Sequence, residues 1–169
     1  MKADKNGFTI VELLIVIVII AILASITVVG FNGVQARSLN SARATEMNDW
    51  HKIFQLYVIQ SGTLPSVDDD SYYCLGTGFP DGYCRDTYPE ADAAQLMEIL
   101  NSVATTPNGP HKPVNGTVGP YVYFWPNNDG YSIYNVFNGE ATDCPRNTEY
   151  AWDDGNGRLI CSIHVNVSS

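Results

Sequence analysis

The sequence is short of charge, and shortest of positive charge. Its 169 residues hold 9 Lys and Arg against 18 Asp and Glu, a formal net charge of −9. So few bases argue against a general nucleic-acid binder, which needs cations to meet phosphate. Recognisable enzyme motifs are missing too. There is no HExxH, no GxSxG and no GxxxxGK[ST], so nothing marks a hydrolase or a nucleotide site. Four Cys occur without a CxxC pair, which removes the usual zinc signature. The three His, His51, His111 and His164, are scattered. No cofactor is called for. The length rules out a multidomain enzyme, and an apolar content of 45% argues against bulk disorder.

The most local absence is the most informative. From Leu13 through Ala24 the chain reads LLIVIVIIAILA, without one charge. With its polar edges the apolar run extends from Phe8 to Phe31. A helix rising ~1.5 Å per residue needs about twenty residues to cross the ~30 Å hydrocarbon layer. Lys2 and Lys5 precede the run, and the next bases are Arg37 and Arg43, an arrangement that places the short leader in the cytoplasm and exports the remainder.

Three readings compete for this segment. A secretory signal peptide would be cut near Ala24 or Ser25, but small residues match the −3 and −1 positions poorly. A plain membrane anchor explains the hydrophobicity and leaves Glu12 unexplained. The third reading starts from Glu12. An ionised acid in lipid costs ~2.5–3.5 kcal/mol on insertion scales and usually marks function. It needs a cation, and no Lys, Arg or His lies between Lys5 and Arg37. A new amino terminus made by cutting before Phe8 would supply one.

The segment Gly7-Phe8-Thr9-Ile10-Val11-Glu12, behind a charged leader and ahead of an unbroken aliphatic run, resembles the class III signal of type IV prepilins and pseudopilins. The resemblance implies cleavage between Gly7 and Phe8 by a membrane-embedded prepilin peptidase, and methylation of the new amine on Phe8. It puts Glu12 at the family's acidic fifth position of the mature chain. There Glu12 would pair with the Phe8 amine, within one helix or between neighbouring subunits, and the family favours the intermolecular pairing that sets subunit register. Many Gram-negative relatives carry Pro at the position held here by Val29, so any break in the helix has no fixed place.

Beyond Gly30 the helical pattern continues. Ala36, Leu39, Met47, Trp50, Phe54 and Tyr57 recur at helical spacing, with Arg43 interrupting the stripe. A helix from Phe8 to Gln60 would be ~80 Å long. Gly30 and Gly33 sit between its halves, each weakening a helix by ~1 kcal/mol relative to Ala. They mark either a hinge or a site of close packing. The helix should end near Ser61-Gly62, ahead of Pro65. The stretch from Leu56 to Pro65 also resembles the helix exit of pilins.

The remainder is read from composition. Ser66 to Thr87, with Asp68, Asp69 and Asp70, is expected as a surface loop, the acids solvated rather than ligating. Pro89 to Val103 reads as a short helix with Leu96, Ile99, Leu100 and Val103 on one face. Tyr121–Trp125, Tyr131–Phe137, Glu149–Trp152 and Arg158–Val165 read as strands in a meander of three or four. Asp153, Asp154 and Asn156 offer oxygens to calcium, but a hairpin turn is the better reading, and no metal site is assigned. An exported domain with four Cys favours two disulfides, with three connectivities open. Cys74–Cys84, stapling the Gly-rich loop, and Cys144–Cys161, tying the last strand to an earlier loop, are favoured. Asn115-Gly-Thr117 and Asn166-Val-Ser168 fit the glycosylation triplet.

The expected fold is therefore α+β, a long N-terminal helix on a small antiparallel sheet. The expected divisions are a leader at 1–7, a membrane or filament-core half-helix at 8–31, a soluble half at 32–61, a loop region with a short helix at 62–120, and a sheet region at 121–169. The resemblance implies a non-enzymatic pilus subunit that begins in the cytoplasmic membrane and ends in a surface filament serving adhesion or twitching motility. Its partners would be other copies of itself, prepilin peptidase, an ATP-driven assembly machinery and, before assembly, the membrane; no direct nucleic-acid contact is expected. A pseudopilin of a type II secretion or competence system is the alternative within the class. A membrane-anchored binding protein that never polymerises is the alternative outside it.

Overall fold

The computed structural model describes residues 9–68, 70–77, 79, 84–85, 93–107, 119–126, 129–140, 143–153 and 157–167, with the backbone alone at 27–32 and 153. The elements are α1 (Ile10–Ser61), β1 (Tyr72–Cys74), α2 (Ala94–Asn101), β2 (Tyr121–Phe124), β3 (Gly130–Asn138), β4 (Glu149–Asp153) and β5 (Arg158–Asn166). The chain divides into two compact units, Met1–Ser38 and Leu39–Ser169.

In the first unit α1 is apolar on every side. Ile10, Val11, Leu13 to Ile20, Ile22, Leu23 and Ile26 are all exposed. A helix that is hydrophobic all round belongs in lipid or in a bundle, not in water.

In the second unit residues 39–61 of α1 pack on the sheet. Met47, Trp50, Ile53 and Phe54, spaced three and four apart, are buried. They meet Val122 and Phe124 of β2, Tyr131, Ile133 and Phe137 of β3, and Leu159, Cys161 and Ile163 of β5 in one core. Phe54 stacks on Tyr131 with ring centroids 4.8 Å apart. Period-two alternation of these strand residues turns one face of the sheet toward the helix. The helix stops where glycine allows it to. Gly62 takes φ +76°, and its N–H donates to the Val58 carbonyl at 2.8 Å, closing the last turn.

The sheet has five antiparallel strands in the order β1-β2-β3-β5-β4. The expectation of a three- or four-strand meander is corrected in two ways. The three residues of β1 lie in the Asp- and Gly-rich stretch read as loop. Three residues are too few to display alternation, yet Tyr73 still reaches the core. The long β5 inserts between β3 and β4, pairing with β3 from Gly130↔Asn166 to Asn138↔Arg158. Both of its faces carry buried residues, and both of its edges are paired. The shorter β4 takes the edge, its ladder broken by a register shift between Tyr150 and Trp152, a common feature of edge strands.

In α2, Leu96 and Leu100 are buried and Ile99 half-buried; the helix ends at Asn101, short of the expected Val103, which lies half-buried in the turn beyond it. Pro89, Glu90 and Asp92, the expected start of that helix, lie outside the described residues. Cys74 is bonded to Cys84 and Cys144 to Cys161, with Cα separations of 5.6 and 5.8 Å.

A polar seam joins α1 to β3. The Asn40 amide donates to the Asn138 carbonyl at 2.7 Å, and its Oδ1 accepts from the Asn138 N–H at 3.0 Å. One turn on, Arg43 is only 5% exposed, so the residue that interrupts the apolar stripe in sequence is nonetheless buried. Asn135 Nδ2 donates to the Arg43 carbonyl at 3.3 Å and approaches Glu46 Oε2 at 3.4 Å. Gly119, at φ +50°, passes so near Asn135 Oδ1 that a Cβ there would sit 2.6 Å from it. Only glycine leaves room for that amide to turn onto the Val136 N–H.

Candidate functional site

The first turn of α1 is built by two residues. Thr9 occupies the N-cap position and Glu12 the third helical position, the spacing of a capping box. Glu12 Oε2 accepts from the Thr9 N–H at 2.8 Å and from the Thr9 hydroxyl at 2.9 Å, and the Glu12 N–H donates back to Thr9 Oγ1 at 3.3 Å. Helix starts leave their first N–H groups without intrahelical acceptors, and a carboxylate near the positive end of the helix is favourable. Glu12 therefore has an internal partner before any amine is supplied. It is the only carboxylate between Asp4 and Glu46.

Around Glu12 everything is aliphatic and exposed. Among the described residues no helix is long and apolar enough to cross a membrane, and the described side chains of this stretch run to Ile26 before resuming at Gly33. Gly7 and Phe8 lie outside the described residues. The α1 backbone stays helical through Gly30 and Gly33. Among the described residues a Cβ at Gly33 would meet nothing within 4 Å, so none of them packs closely enough to require glycine there.

The remaining candidates separate. Asp70, at φ +53°, accepts a hydrogen bond from the Tyr123 hydroxyl at 2.5 Å, and the Asp68 carbonyl accepts from Tyr73 at 3.1 Å. Asp70 thus anchors the loop to β2, while Asp69 lies outside the described residues, as do Asp154, Asn156, His111, Asn115 and Ser168. No cluster of three or more metal-ligating side chains occurs among the described residues. His51 is half-buried on α1, its pKa lowered by burial. His164 lies on the face of the sheet away from α1, between Ser132 Oγ at 2.7 Å and Ser162 Oγ at 2.9 Å. Burial drives Glu46 up to about 7, against the opposing pull of the Asn135 amide and the Arg43 charge.

Two features escaped the sequence reading. Thr9 carried a usable signal, the T-x-x-E spacing ahead of an apolar run. The contacts of Asn40 with Asn138 and of Glu46 with Asn135 carried none, because the partners lie about ninety residues apart or more.

Residues 2–28 match the family model of the prokaryotic N-terminal methylation motif. The chain thus carries the class III signal of type IV pilin-like proteins, and its α+β arrangement of an N-terminal helix on a five-stranded antiparallel sheet is consistent with the pilin fold. No significant match is found among curated proteins or among solved structures. The signal points to a structural, pilin-like protein or pseudopilin.

Proposed function

We propose that this chain is the structural subunit of a type IV pilus, made as a membrane precursor and polymerised into an extracellular filament for adhesion or twitching motility. Prepilin peptidase cuts between Gly7 and Phe8 and methylates the Phe8 amine. Residues 8–31 anchor the precursor in the cytoplasmic membrane and later pack in the filament core. The Leu39–Ser169 unit, which holds 16 of the 18 acids, forms the filament surface.

The observation that carries this reading is a single carboxylate, Glu12, at the start of a helix that is apolar on every side, inside a matched methylation motif. An unpaired charge there is costly in lipid, and a neutral pair is far less so. After cleavage the Phe8 ammonium stands four residues before Glu12 in its own chain and can pair with Glu12 of an incoming copy. The intermolecular pair fixes the vertical register of neighbouring subunits. Gly30 and Gly33 then supply the stretch of α1 that bends or unwinds most easily during assembly. An ATP-driven assembly machinery supplies the work, and the chain itself performs no catalysis.

The test is Glu12→Ala in cells carrying the assembly machinery. Cleavage should remain largely intact while incorporation into sheared surface filaments falls sharply. Normal polymerisation of the variant would refute the registry role.

A further inference from the structure

We propose that the outward face of the sheet, where β2, β3 and β5 meet, binds a neutral carbohydrate against the rings of Trp125, His164 and Tyr134, with the Glu149 carboxylate taking its hydroxyl hydrogens. This face lies opposite α1, so the core under the helix does not account for the three rings. His164 is exposed, and Trp125 and Tyr134 are half-buried. The Trp125 and His164 ring centroids are 6.2 Å apart at an interplanar angle of 42°, and Tyr134 meets His164 edge-on at 6.2 Å. Glu149, with 77% of its side chain exposed, brings Oε2 to 3.9 Å from His164 Nε2.

The argument turns on how these rings are held. Ser132 is fully buried, yet its Oγ accepts from Trp125 Nε1 at 2.7 Å, lies 2.7 Å from His164 Nδ1 and hydrogen-bonds the Tyr134 hydroxyl. A hydroxyl has one proton and two lone pairs, so three partners saturate it. Ser162, also fully buried, holds the other imidazole nitrogen at 2.9 Å. Gly130 leaves the indole its place, since a Cβ there would sit 2.9 Å from Trp125 Cε3. Valine would suit both inner-strand positions better by β propensity. The serines instead spend buried hydroxyls on orienting rings that face solvent. Rings fixed in advance spare a ligand the cost of ordering them.

With both nitrogens taken by serines, His164 offers its ring rather than a charge. Aromatic rings pack against the C–H face of a pyranose, and the hydroxyl rim of the sugar then meets a carboxylate acceptor. Apolar walls with a few placed polar groups are the usual makeup of a ligand site. Nucleobases also stack, but they come on phosphates, which Glu149 and a net charge of −9 repel. The site lies inside the Leu39–Ser169 unit, so its use needs no filament and goes beyond the assembly role.

The test applies the full-length chain, in lipid nanodiscs, to an array of neutral oligosaccharides built from hexoses and N-acetylhexosamines, with a thymidine oligonucleotide and choline as competitors. Saturable retention by at least one oligosaccharide, above that of empty nanodiscs and unaffected by either competitor, is expected. Trp125→Ala should weaken that binding by more than about tenfold, through loss of the stacking wall. Glu149→Gln changes only an exposed side chain, so it tests the site even if Trp125→Ala folds poorly. It should weaken binding about five- to tenfold, the loss of one charged hydrogen bond. The proposal is overturned if no neutral oligosaccharide retains the protein, if either folded variant binds as the wild type does, or if the oligonucleotide or choline displaces the sugar.

Discussion

Thr9 and Glu12 satisfy each other at the start of α1, the carboxylate taking both the amide and the hydroxyl hydrogen of Thr9 within 2.9 Å. The acid that lacks a cation in the sequence is thereby held by its own helix. The box also ends the apolar rod with its exposed N–H groups partly met, which matters most where water is scarce. In the proposed assembly, release of Glu12 to a neighbour's amine competes with this local hold.

Thr9→Val keeps the shape of the side chain and removes the hydroxyl. Loss of an N-cap side chain typically costs about 1 kcal/mol of helix stability. Faster amide hydrogen exchange over residues 9–13 is expected, with exchange in the Leu39–Ser169 unit unchanged. Equal protection in both proteins would show that the box does not hold the first turn.

Asn40 and Asn138 make an asymmetric pair, because Asn40 uses its side chain and Asn138 its backbone. Asn40→Ala strips two half-buried backbone groups of their partner and should destabilise the Leu39–Ser169 unit by about 1–3 kcal/mol. Asn138→Ala retains both backbone groups and should fall well short of that. Comparable losses in urea unfolding of the two variants would contradict the assignment.

Glu46 makes stability depend on pH in a defined direction. Its folded pKa is raised from 4.5 to about 7, chiefly by burial. A raised carboxyl pKa contributes stability that is fully present below the unfolded value and is lost as pH climbs to the folded one. Relative to Glu46→Gln, the wild type should therefore lose melting temperature as pH rises from 4.5 to about 7, with no further relative change above that. A wild type that instead gained melting temperature relative to Glu46→Gln over that range would reverse the sign and exclude burial as the dominant cause.

What could be read ahead of the structure follows from how far apart the determinants lie. The helix end at Gly62 was legible because glycine and the following proline act within one turn. So was the core stripe of Met47, Trp50 and Phe54, since its periodicity is written along one element. The burial of Arg43 was not, because the strand that covers this part of α1, where Asn135 donates to the Arg43 carbonyl, lies about ninety residues away. The place of β5 between β3 and β4 was hidden for a similar reason. Each strand announces its own alternation, whereas neighbour order depends on which edges remain open when the strands meet. Thr9 was the one miss with a local signal.

Cleavage before Phe8 creates the amine that pairs with Glu12 in the proposed assembly. Intact-mass analysis of this protein, taken from filaments sheared off the surface of the producing cells, tests it most directly. The expected species begins at Phe8 and is one methyl group heavier than the bare sequence. Filaments built from chains that still carry Met1 to Gly7 would contradict the account.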